Sequence, residues 1–140
     1  MKYTELNVNW DADPNAPEER IFINGDTVLI EFYLNYFIYT QFNEGDWGRL
    51  IFTGCHKYST HGTNDEGYYM GQHRYKYTEL PWGGFYELDT DWTIDFAPKA
   101  IILSPIDSHK PLNHYIFFFK DNSFECVAAD FEIEFIRAEK

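Results

Sequence analysis

The chain has 140 residues, 44% hydrophobic and 20% aromatic, with 23 Asp and Glu against 11 Lys and Arg and a formal net charge of −12. That length suits a single globular domain over residues 1–140, and 13 Phe, 11 Tyr and 4 Trp supply a core, so general disorder is excluded. With no stripe of Lys and Arg to neutralise phosphates, the composition argues against nucleic acid and against an anionic membrane surface, and for attraction to a basic protein partner.

Period-two alternation dominates the chain. "LNVNW" sets Leu6, Val8 and Trp10 against polar residues and predicts a half-buried first strand. The Pro-rich, acidic "DADPNAPEER" predicts a loop. In "IFINGDTVLIEFYLNYFIY" the Asn24-Gly25 pair signals a two-residue hairpin turn. The second arm puts Val28, Ile30, Phe32, Leu34 and Tyr36 on one face; it is long for a strand, so a bend is expected in it. "NEGDWG" predicts a turn, "RLIFTGCHKY" a strand, and residues 59–72 a polar loop. "HRYKYTEL" and "FYEL" read as extended on either side of the "PWGG" turn. "DTDWTIDFAP" is the one short helix expected, capped by Asp or Thr and stopped by Pro98. "AIIL" predicts a short buried strand, and "SPIDSHKPLN" a loop. "HYIFFFKDNSFECVAADFEIEFI" predicts two β arms, the first apolar on both faces and therefore central. The expected fold is mainly β: an antiparallel sandwich or partly closed barrel with at most one or two short helices.

Chemical signatures are sparse. "FYELDTDWT" imitates the motif of aspartate-nucleophile phosphatases, but that chemistry needs a parallel α/β sheet, so Asp89 and Asp91 read as capping residues. "DADPN" opens like a calcium loop, yet Ala16 and Phe22 stand where Gly and a bidentate Glu are required. The five histidines show no zinc spacing. Cys55 and Cys126 lack a redox motif and sit in strand-like runs, which predicts buried free thiols in a reducing cytoplasm. No apolar run is long enough to span a bilayer, and no signal core opens the chain. No cofactor is implied.

Two segments concentrate polar groups among aromatics: "NDEGYYMGQH" at 64–73 and "HYIFFFKDNSFECVA" at 114–128. With "GC" at 54–55, "GFYEL" at 84–88 and Trp92, their order resembles a family of small bacterial proteins with no assigned activity. The resemblance spans residues 50–129, and Lys120 and Thr90 depart from the family's pattern. It implies that Asn64, Asp65, Glu66, His73, His114, Asp121 and Glu125 belong together as a candidate functional cluster.

A His with two carboxylates can run acid–base chemistry or hold a divalent metal. The same groups can equally pin loop backbone, with Asn64 and Asp65 bonding locally and Glu66 and His73 anchoring to a neighbour. Glu125, flanked by Phe124 and Cys126, is either edge-exposed or paired inside, and His114 is its natural partner if the fold joins them. Two functions follow. One is a non-catalytic acidic interaction protein, immunity- or antitoxin-like, that binds a basic partner. The other is a small-ligand or metal-binding β domain, or an enzyme, that uses the Asn64-Asp65-Glu66 and His73 group.

Overall fold

A computed structural model describes residues 2–62, 64, 67, 68, 75, 80–106 and 109–138. Its strands are β1 (Lys2–Glu5), β2 (Arg20–Asn24), β3 (Thr27–Tyr33), β4 (Trp47–Thr53), β5 (Lys57–His61), β6 (Phe85–Asp89), β7 (Ile101–Ile102), β8 (Asn113–Phe118), β9 (Ser123–Ala128) and β10 (Asp130–Ile136). They form two antiparallel sheets, one of six strands in the order β1-β6-β8-β9-β5-β7 and one of four in the order β10-β4-β3-β2. The sheets pack face to face as a β-sandwich, as the alternation predicts.

The four-stranded sheet turns Val28, Ile30, Phe32, Leu50 and Phe52 inward, each buried. They meet Phe85, Tyr115, Phe117 and Phe124 of the six-stranded sheet. Phe52 stacks on Phe124 with ring centroids 5.5 Å apart, and Phe32 meets Phe117 edge-on at 5.3 Å. Each such ring contributes about 1.5–3 kcal/mol by leaving water.

Two of the chain's passages between the sheets share one corner. The chain passes from β4 to β5 at Gly54 and from β9 to β10 at Ala129, and Ala129 N–H donates to the Thr53 carbonyl at 3.1 Å. Gly54 has φ +60°, and a Cβ there would lie 3.0 Å from the Ala129 methyl, so this crossing favours glycine on two grounds. The β2–β3 hairpin forms as expected, with its turn one residue later than the sequence signal. Asn24 pairs with Thr27, leaving Gly25 (φ +62°) and Asp26 at the tip.

Several expectations are corrected. "LNVNW" is not a strand: β1 ends at Glu5, Val8 is exposed, and Asn7 is buried instead. Asn7 Oδ1 accepts the Phe85 N–H and its Nδ2 donates to the Trp10 carbonyl, both at 3.1 Å, so a buried amide replaces the apolar alternation. "RLIFTGCHKY" is two strands, β4 and β5, and residues 59–61 belong to β5 rather than to a loop, because Lys57 through His61 pair along β9. β7 is an exposed edge strand rather than a buried one. The C-terminal run is three strands, not two, since the corner at Ala129 sends β10 into the other sheet. The expected helix after β6 is only a turn: Asp91 accepts the Ile94 and Asp95 N–H groups, and no further helical bond follows among the described residues. Most of "HRYKYTEL" lies outside the described residues, Tyr75 and Leu80 excepted.

Candidate functional site

β8 is buried on both faces. One face belongs to the core; the outer face carries His114, Ile116 and Phe118. Tyr68, Leu80 and Trp82 pack over its apolar half. The Tyr68 hydroxyl donates to the Leu80 carbonyl at 2.7 Å and lies 3.0 Å from that of Tyr75, tying the covering segment to itself. Asn64 belongs to that segment and does what a loop-pinning residue does: its Oδ1 accepts the Gly67 N–H at 2.8 Å.

The polar half of the outer face is where the sequence-predicted residues meet. His114 pairs with Val127 across β8–β9, and Ile116 with Glu125, so His114 and Glu125 are diagonal neighbours on one face. Both are buried, and His114 Nε2 hydrogen-bonds Glu125 Oε2. The Tyr75 hydroxyl donates to the same carboxylate oxygen at 2.8 Å. A carboxylate only accepts, so Nε2 carries a proton; in the neutral imidazole Nδ1, which faces the other way, is then the acceptor. There Thr90 Oγ1 stands 2.5 Å from Nδ1. The Phe96 ring lies 5.2 Å from the imidazole, and the Lys57 ammonium sits 4.4 Å from the Phe96 centroid while donating to the Trp92 carbonyl at 3.2 Å. The turn after β6 is thereby clamped over His114, and Thr90 is held against it. A cleft of about 720 Å³ opens beside Thr90 and His114.

Of the remaining cluster, Asp121 is not with these residues. It sits in the β8–β9 turn, beyond the far end of β8 from His114, and its charge acts on Glu19. Asp65, Glu66 and His73 lie outside the described residues. Among the described residues no group of three His, Cys, Asp or Glu could hold a metal ion. Cys55 and Cys126 are both buried and unlinked, and burial followed by the neighbouring Cys55 thiol pushes the Cys126 thiol well above its usual range.

The loop end that holds Asp121 carries a second constellation: the sequence predicts a loop for residues 11–20, but the long second arm predicted to run through Tyr36 stops as strand at Tyr33 and turns at Asn35. Residues 11–17 pair with the continuation of β3: Asp13 N–H donates to the Tyr33 carbonyl at 2.8 Å and Tyr33 N–H to that of Pro17 at 2.9 Å. Asn35 is buried and its Oδ1 accepts the Phe37 and Ile38 N–H groups, shaping a turn that leaves Phe37 59% and Ile38 72% exposed. Asp46 anchors the base of this loop, accepting from Asn43 N–H, Ala138 N–H and Arg137 Nη1 at 2.7–2.8 Å. Between the two loops a cleft of about 410 Å³ is lined by Asp13, Glu18, Glu44, Tyr33 and Tyr36, with no Lys, Arg or His among the described residues of its wall. A second of about 390 Å³ shares Glu18 and Tyr33 and extends to Glu19, Trp47 and Arg20, whose guanidinium faces Glu31. Desolvation, then the charges of Glu44 and Asp13, hold the Tyr36 hydroxyl above its ordinary pKa. Asp11 is pushed up to about 7, chiefly by burial, with the charge of Glu5 adding to it.

Thr90 and Tyr75 were also missed by sequence reasoning. Thr90 looked like a helix cap and Tyr75 like one more aromatic in an extended run; only the packing of the outer face makes them partners of His114 and Glu125.

No helix among the described residues is long and apolar enough to cross a membrane. No protein-family model, no curated protein and no solved structure matches the chain.

Proposed function

We propose that this chain is an acidic interaction protein, immunity- or antitoxin-like and acting in the cytoplasm, that captures a basic protein partner at its loop end. The observation that carries the reading is the cleft between residues 13–18 and 33–45. Three carboxylates, Asp13, Glu18 and Glu44, and two tyrosines line it, with no Lys, Arg or His among the described lining residues. Such a cleft fits an Arg or Lys side chain: carboxylates bind the charge, and tyrosine faces attract a cation while shedding little conformational entropy on binding. Exposed Phe37 and Ile38 beside it supply the apolar contact that anchors an interface. The overall charge of −12 adds long-range steering toward a basic surface.

The test separates docking from bulk charge. Glu18→Lys with Glu44→Lys reverses two charges in the cleft; Asp26→Lys with Asp130→Lys removes the same amount of charge at the opposite end of the sandwich. Titrated with a fluorescent arginine-rich peptide at low salt, the cleft variant should lose about tenfold or more in affinity and the control far less. Equal losses would reduce the binding to net charge and overturn the reading. The next step is to identify the partner in a pull-down at low and high salt.

A further inference from the structure

We propose that Thr90, His114 and Glu125 form a hydroxyl–imidazole–carboxylate relay that makes Thr90 Oγ1 a nucleophile toward small neutral esters bound in the adjoining cleft. This site lies apart from the acidic loop end, and neither requires the other.

Three observations carry it. The first is connectivity: Thr90 Oγ1 is 2.5 Å from His114 Nδ1, and Nε2 of the same ring bonds the buried Glu125 carboxylate. A nucleophile bonded to a base that is itself oriented by a third group is the arrangement that activates a hydroxyl. The second is preorganisation. The Tyr75 hydroxyl holds Glu125 Oε2 at 2.8 Å and Phe96 packs on the imidazole, so the ring cannot turn away from Thr90. Glu125, Tyr75 and Phe96 are positioning residues. The third is access: although His114 is buried, Thr90 is only half-buried, at the wall of the cleft of about 720 Å³. That volume is within the range that encloses small ligands.

The cleft wall indicates the substrate class. Trp92 and Tyr3 offer aromatic surface, Thr4 a hydroxyl and Lys2 an ammonium able to meet a developing oxyanion. Glu87 and Asp89 on the same wall repel anionic acyl donors, which leaves small polar esters without negative charge. In the reaction Thr90 Oγ1 attacks the ester carbonyl carbon while its proton passes to His114 Nδ1. The tetrahedral adduct collapses, the bond to the leaving alcohol breaks, and the alcohol takes the proton from Nδ1. Water then attacks the acyl-Thr90 ester, giving a proton to Nδ1 that returns to Thr90 Oγ1 as the carboxylic acid departs.

The probe is p-nitrophenyl acetate with the full chain at pH 8, followed by p-nitrophenol release and by peptide mass mapping. We expect an acetyl adduct on the Thr90 peptide that hydroxylamine removes, as it removes esters and spares the acetyl-lysine that forms at Lys2. Thr90→Val should abolish this adduct, Thr90→Ser should retain it, and Glu125→Gln should slow its formation about 10- to 100-fold. Wild-type protein that acquires no hydroxylamine-labile acetyl group at Thr90 would overturn the proposal. So would a Glu125→Gln variant with unchanged near-UV circular dichroism that acetylates as fast as wild type. If Glu125→Gln does not fold, the wild-type, Thr90→Val and Thr90→Ser adduct maps decide the matter alone.

Discussion

Replacing Asp11 by Asn should stabilise the protein at alkaline pH and do little at acid pH. Asp11 Oδ1 accepts the Ala12 N–H at 2.7 Å, and an Asn carbonyl can accept the same bond, so the local geometry survives the change. The charge does not. Burial, offset in part by that backbone bond and reinforced by the charge of Glu5, lifts the Asp11 carboxyl from 3.8 to about 7. A carboxyl with a raised folded-state pKa keeps its proton after the unfolded chain has lost its own. Stability therefore falls as pH rises from the unfolded pKa to the folded one, and levels off above it. Three pKa units at 1.36 kcal/mol each set a ceiling of about 4 kcal/mol; because Asp11 is not fully buried, about 2 kcal/mol is the realistic figure. Urea unfolding of wild type and Asp11→Asn at pH 4.5 and pH 8 measures it, since the other titrating groups cancel in the difference. Asp11→Asn should gain about 2 kcal/mol on wild type between the two pH values. An equal difference at both would refute the reasoning.

Gly48 and Asp46 test the packing that presents the loop end. A Cβ on Gly48 would lie 2.8 Å and 2.9 Å from two atoms of the buried Phe32 ring, so Gly48→Ala should cost about 1–3 kcal/mol in thermal unfolding; an unchanged Tm would mean that the ring yields freely. Burial acts to raise the pKa of Asp46, but the bonds from Asn43, Ala138 and Arg137 outweigh it and leave the pKa lowered. Its stabilisation is present above the unfolded pKa and lost as pH falls through the folded one. Asp46→Asn should then weaken the protein at pH 7 and converge with wild type in strong acid, as followed by denaturant titration.

What the sequence disclosed was what alternation encodes. Val28, Ile30, Phe32 and Leu34 share a face because a strand has period two, and β8 reads as central because Tyr115, Ile116, Phe117 and Phe118 leave it no polar side. The sandwich follows from those patterns. Alternation failed where a polar group is satisfied by a distant partner. Asn7 takes the inward position that pattern assigned to Val8, because the Phe85 N–H and the Trp10 carbonyl, unknowable from local spacing, complete its hydrogen bonds. The pairing of His114 with Glu125 was foreseeable only conditionally. Their separation of eleven residues puts them on one face if the β8–β9 turn has the register observed, and on opposite faces if it slips by one. Asp121 joined them in the linear motif and left them in the fold, because a turn residue lies at the far end of the strand from its first. Thr90, half-buried beyond the end of β6, read as a helix cap, and nothing in local spacing tied it to His114.

The His114–Glu125 pair is hard to explain as stabilisation. Two ionisable side chains on the central strands of a sheet lose their hydration, and their mutual attraction repays this only when the geometry is good and the remaining polar atoms are satisfied. A pair of leucines in these places would continue the apolar surface of Ile116 and Phe118, and such replacements are often neutral or stabilising by about 1–4 kcal/mol. The structure instead surrounds the pair with specific support: Tyr75 on the carboxylate, Thr90 on the second ring nitrogen, and Phe96, itself held by Lys57, on the ring. Three separate segments converge to hold one imidazole with Nδ1 directed at a half-buried hydroxyl on a cleft wall. These contacts satisfy the pair's remaining polar atoms and also hold Nδ1 toward Thr90, which is the arrangement the proposed relay requires.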